Sequence, residues 1–147
     1  MGSKDLKDRS SYHIWTRDTV RYVDLDPNMH VNNGAIGAYL EDGRVRFRDE
    51  QLRPLCPDVG ILRGFVLAQC LVEYHAPMHF PGEIDIGTTV LHIGSTSYTL
   101  GQGLFCGPDC TVTAEVVTVY VDPQTAAPTS LPDAFRVALR DVGRQPA

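Results

Sequence analysis

The segment Asp24-Leu25-Asp26-Pro27-Asn28-Met29-His30-Val31-Asn32-Asn33 places two carboxylates, an imidazole and two adjacent amides in one short stretch of chain. A carboxylate in such a setting can attack a carbonyl or take a proton from water, and an imidazole can orient that group or protonate a leaving atom. What comes next decides how useful the stretch is. Ile36, Leu40, Gly43 and Phe47 recur at spacings of four, three and four, which predicts an amphipathic helix with Asn32 or Asn33 as its N-cap. The first N–H groups of a helix lack intrahelical partners and lie at the positive end of its dipole. Those of Asn33 and Gly34 are therefore placed to hold an oxygen that becomes negative during a reaction. Asp-Pro-Asn is also good turn composition, so an acid here can equally serve to fix the loop.

Beyond the helix the period changes. Ile84, Ile86, Thr88 and Val90 alternate with Asp85, Gly87 and Thr89, and Tyr98, Leu100, Gln102 and Leu104 alternate with Thr99, Gly101 and Gly103. Both are strand patterns. Residues 65–74 and 112–121 are rich in β-branched and aromatic types, and an opening strand falls near 14–22, giving about five strands. Turns at Pro81-Gly82, Gly94-Ser95 and Gly107-Pro108-Asp109 predict that the last four form an antiparallel meander. Strand, long helix, then a run of strands is an α+β order. Glycine inside a helix costs about 1 kcal/mol relative to alanine, so Gly37 and Gly43 predict close packing of the helix on the sheet. Gly101-Gln102-Gly103 lies within a strand pattern and marks a bulge or a close approach rather than a nucleotide loop. The loop 53–58 ends the helix, and 132–140 forms a short amphipathic closing segment.

Composition narrows the function. The chain has 147 residues with a formal charge of -5 and no Lys/Arg cluster, which argues for one domain and against nucleic acid or an anionic membrane as its main partner. The polar N-terminus and the absence of a long apolar run predict a cytoplasmic protein. Cys56, Cys70, Cys106 and Cys110 are expected to be reduced thiols, and Cys106 to Cys110 is expected to be a hairpin turn. His75 and His79 stand four apart with Pro77 between them, which is poor helical metal spacing, so no metal is expected.

From Tyr12 to Leu139 the chain resembles the hotdog-fold thioesterases of the 4-hydroxybenzoyl-CoA thioesterase type. The segment from Asp24 to Asn33 matches their D-x-D-x-x-x-H-V-N-N signature. Ile36, Tyr39, Glu41 and Arg44 fall on the following Y-x-x-Y-x-E-x-x-R pattern, Glu73-Tyr74-His75-Ala76-Pro77 and Gly82-Glu83 on a later one, and Gly94 to Ser97, Val121 to Pro123 and Leu131-Pro132 complete the match. The resemblance implies a hotdog fold, a sheet of about five strands wrapped around one long central helix. It implies a single domain over 12–141, with flexible tails at 1–11 and 142–147. It also implies an acyl-CoA thioesterase without cofactor or metal, acting on coenzyme A or acyl carrier protein thioesters as a homodimer or homotetramer with sites at the subunit interface.

In that reading Asp26 is the nucleophile or general base, and His30 orients Asp26 or water or protonates the leaving group. The Asn33 and Gly34 amides bind the oxyanion, and Asp24 braces the loop. Asn32, Ile36, Tyr39, Tyr74 and Arg63 fall to the substrate side, with Arg53, Arg63 and His79 as possible phosphate contacts. Glu41 and Arg44 suit an ion pair. Ile36 stands where the family often has Tyr, which favours an aliphatic acyl group. A hotdog enoyl hydratase is a second possibility, because Asp26 and Asn28 fit the start of that motif although His30 comes one position early. A catalytically silent acyl-CoA-binding hotdog is the third.

Overall fold

The structure, a computed structural model, describes residues 4–60 and 63–144, so the ends of both expected tails lie outside the described residues. Five strands form one antiparallel sheet: β1 (Ile14–Thr19), β2 (Phe65–Tyr74), β3 (Glu83–Ile93), β4 (Ser97–Cys106) and β5 (Asp109–Tyr120). Helix α1 (Asn33–Arg46) continues through a wider turn at Phe47–Leu52, and α2 (Asp133–Gly143) closes the chain. The arrangement is the expected α+β hotdog, a sheet curved around a central helix.

Sheet order is β1-β3-β4-β5-β2. Only β3, β4 and β5 form the expected meander; β2 does not neighbour β3 but pairs with β5, with Tyr74 opposite Val112 and Phe65 opposite Tyr120. The reason lies in the connection. Residues 75–82 form no tight hairpin but cross three strand spacings, about 14 Å, and pin themselves midway by burying Met78. The Met78 carbonyl accepts the Val31 N–H at 2.9 Å, which ties this crossover to the loop in front of α1.

Along α1 the buried positions are Ile36, Tyr39, Leu40, Gly43 and Arg44, with Phe47 continuing the stripe. Ile36 and Leu40 pack with Ile84, Ile86, Leu104 and Val116, whereas Phe47 and Leu52 join Tyr98, Leu100, Phe135 and Leu139 in a second cluster under α2. At Gly43 the helix presses on the sheet as expected, since a Cβ there would lie 2.7 Å from Ile86 Cγ2. Gly37 departs from expectation. It faces outward with nothing within 4 Å of a built Cβ, so it clears space beside the helix rather than admitting the sheet.

The N-terminal segment, which its polarity marks as a tail, lies packed from Asp5 to Ser11 on the outer face of the sheet. Leu6 sits over Gly101, the Tyr12 ring over Gly87, and the Tyr12 hydroxyl donates to the Leu6 carbonyl at 2.6 Å. Close approach, the alternative foreseen for Gly101 and Gly103, is what these glycines allow: a Cβ at Gly103 would lie 2.7 Å from the Tyr12 hydroxyl. The Gly107-Pro108 turn joins β4 to β5, with Cys106 opposite Asp109 rather than Cys110, and all four cysteines are free thiols.

Candidate active site

The loop between β1 and α1 is built by its own polar groups. Asp24, only 3% exposed, accepts the Tyr39 hydroxyl at 2.5 Å, the Arg21 amide at 2.9 Å and the Arg21 guanidinium at 2.9 Å. Burial on its own pushes its carboxyl up, but the bonds from Arg21 and Tyr39 outweigh it and hold the group below the usual carboxylate range. The same bond, together with burial, pushes the Tyr39 phenol well above its ordinary value. Asp24 is therefore a brace, its oxygens committed to the loop.

Asp26 stands differently. It is half-buried, and one oxygen, Oδ1, accepts the backbone N–H groups of Asn28 at 2.8 Å and His30 at 3.3 Å. The loop closes on itself through Asp26 N–H to the His30 carbonyl at 2.8 Å, with Met29 in the left-handed region at φ 63°. One carboxylate oxygen is thus held by the turn, while Oδ2 has no hydrogen bond among the described residues. His30 meets His79 of the crossover edge to face, with ring centroids 5.1 Å apart. Tyr22 and Phe80 pack in the same manner at 5.8 Å, and with Val23 and Met29 they form an exposed apolar rim.

Asn32 is the N-cap of α1, its Oδ1 accepting the Ala35 N–H at 2.7 Å. This bond serves the third helical position, which leaves the N–H groups of Asn33 and Gly34 at the exposed first two positions available to an outside oxygen. Gly34 suits its place, because a Cβ there would come within 3.2 Å of the capping Asn32 Oδ1. Asp26, His30, Asn32, Asn33 and Gly34 therefore converge within one loop and helix terminus, beside the crossover that brings His79.

The other expected substrate contacts scatter. Ile36 is buried in the core and Tyr39 is turned inward onto Asp24. Tyr74 is exposed on β2, at the end of the strand that runs into the Met78 crossover. Arg63 lies just before the other end of β2, and the ten residues of that strand separate it by roughly 30 Å from the Asp26 loop of the same chain. Glu41 and Arg44 form no ion pair; Arg44 instead donates to Gln102 Oε1 at 3.2 Å, and Gln102 Nε2 donates to the Leu40 carbonyl at 3.0 Å. Sequence reasoning gave no function to Gln102 or Arg48. A glutamine at an inward strand position, Gln102, was the only signal in the chain for this buried polar contact. Among the described residues, no group of three or more His, Cys, Asp or Glu side chains is arranged to hold a metal ion, and no helix is long and apolar enough to cross a membrane.

Comparison with known proteins agrees with the fold. A thioesterase from Thermus thermophilus, in complex with coenzyme A and zinc, shares 27% identity and superposes with a TM-score of 0.80 over 93% of this chain and 98% of its own. A predicted thioesterase from Bacillus stearothermophilus shares 27% identity with a TM-score of 0.77, over 90% and 98% of the two chains. A putative thioesterase from Pseudomonas aeruginosa shares 25% at 0.73, over 85% and 96%. No curated protein matches the sequence significantly. The family model of the thioesterase-like superfamily matches residues 20–139, from just after β1 into α2 and including the whole loop around Asp26, and the chain belongs to that superfamily.

Proposed function

We propose that the protein hydrolyses acyl-CoA thioesters to a free acid and coenzyme A. The observation that carries this reading is the pairing of a carboxylate with one uncommitted oxygen, Asp26, with two uncapped helix N–H groups, Asn33 and Gly34, in one exposed site. In the reaction, Asp26 or a water that it deprotonates adds to the thioester carbon. The carbonyl oxygen takes up the negative charge and is held by the Asn33 and Gly34 amides. The C–S bond then breaks, and the thiolate leaves and is protonated. If Asp26 itself attacks, water hydrolyses the resulting anhydride and regenerates the carboxylate. His30 stands beside the same loop to orient water or protonate the sulfur. Thiol release from a panel of acyl-CoA thioesters tests the reading, and no release from any member would overturn it.

Ile36 lies in an apolar cluster with Val31, Leu104 and Val112, and the hydroxyl of Tyr39 in that cluster is already committed to Asp24. Saturated aliphatic acyl-CoA is expected to be cleaved faster than 4-hydroxybenzoyl-CoA, measured as kcat/KM by thiol release. Equal or better rates on the aromatic thioester would count against this choice.

The sheet also supports assembly. Strand β2 pairs only with β5, leaving a ten-residue edge whose Val66, Leu67, Leu71 and Tyr74 are exposed. A long apolar edge is a template for another strand, and a second copy of this chain supplies one. Sedimentation at micromolar concentration is expected to show a dimer or tetramer, and Leu71→Lys to shift it toward monomer. A wild-type monomer with full activity would refute the assembly.

A further inference from the structure

The outward stripe of α1 reads Gly34, Gly37, Ala38 and Glu41, all exposed at spacings of three, one and three. Successive members lie on one helix face. It looks toward the inner face of β2, where the register sets Leu67, Cys70, Val72 and Tyr74 opposite Thr118, Val116, Ala114 and Val112 of β5. α1 and β2 run in opposite directions, so the Asn33–Gly34 amides lie toward the Tyr74 end of β2 and Glu41 and Arg44 toward Phe65 and Leu67.

At that far end α1 presents Arg44, and the wider turn after it Arg48, to a cavity of about 80 Å³, bounded also by Glu41, Phe65, Leu67 and Thr118. Arg44 is 8% exposed, and among the described residues neither guanidinium is in an ion pair. Arg44 has one neutral acceptor, Gln102 Oε1, and Arg48 reaches the Tyr98 hydroxyl only at 3.4 Å. The Arg48 Nε is buried with no hydrogen-bond partner. Burial lowers the pKa of Arg44 from its ordinary value, although a guanidinium stays charged. Two cations and one carboxylate, Glu41, face this cavity, and the positive charge left over is costly unless a further anion joins them. A planar carboxylate matches the guanidinium fork.

We propose that Arg44 and Arg48 form the distal end of the acyl site and bind a terminal carboxylate, so that the preferred substrates are ω-carboxyacyl thioesters. This rests on the thioesterase reading above. Ten residues of helix separate Gly34 from Arg44, about 15 Å at 1.5 Å per residue. Arginine side chains lean back toward the helix N-terminus and shorten the gap to about 10 Å or more. An extended chain advances about 1.2 Å per atom, so roughly 8 to 12 carbons, counting those of the thioester carbonyl and the carboxylate, fit. On this stripe Gly34 and Gly37 present no side chain and Ala38 only a methyl group.

The test compares suberoyl- and sebacoyl-CoA with octanoyl- and decanoyl-CoA by kcat/KM. The carboxylated member of each pair is expected to be preferred by roughly 10-fold or more, the scale of a hydrogen bond to a charged group. Arg48→Gln should abolish the preference by raising KM for the carboxylated chains, and Arg48→Lys should keep part of it. Glu41→Gln, at an exposed position, should increase it by removing a like charge. If octanoyl-CoA is cleaved but the carboxylated chains are not preferred, this proposal falls and the thioesterase reading stands; if no thioester is cleaved, the thioesterase reading falls and takes this proposal with it. If Arg48→Gln weakens self-association and leaves the substrate ratio untouched, the cations serve a partner-chain carboxylate and the proposal falls.

Discussion

Asp26→Asn is expected to lower acyl-CoA hydrolysis by a factor of roughly 100 or more, the scale of a lost acid–base group, with the fold and acyl-CoA binding intact. The geometry makes this substitution a clean one. Asp26 Oδ1 accepts the Asn28 and His30 amides, and the amide oxygen of Asn can accept the same two bonds, so the loop keeps its shape. Only the second oxygen changes, from an anionic nucleophile or base to a neutral donor. Single-turnover kinetics with octanoyl-CoA, beside a binding measurement on the same variant, separate the two effects. His30→Ala should cost less. Near-normal turnover in Asp26→Asn would move the chemistry to another group.

Asp24→Ala is expected to act on stability. It strands the buried Tyr39 hydroxyl and removes the acceptor of the Arg21 amide and guanidinium. The loss of charged hydrogen bonds and the unpaired buried hydroxyl together cost about 2–4 kcal/mol, or roughly 5–15 °C in Tm for a chain of this size. The pH dependence has a definite sign. The folded-state pKa of Asp24 lies below its unfolded value near 3.8, so its contribution is fully present above that value and is lost as pH falls through the folded one. The Tm difference between wild type and Asp24→Ala should therefore be full at neutral pH and shrink in strong acid. A difference that persists unchanged at low pH would mean that packing, and not the carboxylate, holds the loop.

The loop was legible in the sequence because its groups are neighbours in the chain: Asp24, Asp26, His30, Asn32 and Asn33 need only a turn and a helix start to meet. The α+β class was legible for a similar reason, since each element carries its own period. Strand order was not. Nothing local to Phe65–Tyr74 says that it pairs with β5 instead of β3, because that choice depends on where the crossover through Met78 can be buried. The two helix glycines show the same limit. Gly43 and Gly37 look alike in sequence, yet one faces Ile86 and the other open space, and only the orientation of α1 on the sheet distinguishes them. Arg44 sits in the family pattern as a partner for Glu41, but the helix turns it inward to Gln102, a contact 58 positions away in sequence.

The packed N-terminal segment has a bearing on the order in which the chain can mature. Lys4 donates to Thr89 and Arg9 to the Gly107 carbonyl, contacts that span 85 and 98 positions, and the seat for Leu6 is Gly101. This segment is thus made well before the strands that seat it and is among the last to find its place. At about 5–20 residues per second, Leu6 and Tyr12 wait roughly 5–20 s for β4 to emerge. During that interval their apolar side chains are open to chaperones and to any modification of this segment. A bulky group attached there during synthesis would stay on the surface of a sheet that finished without its strap.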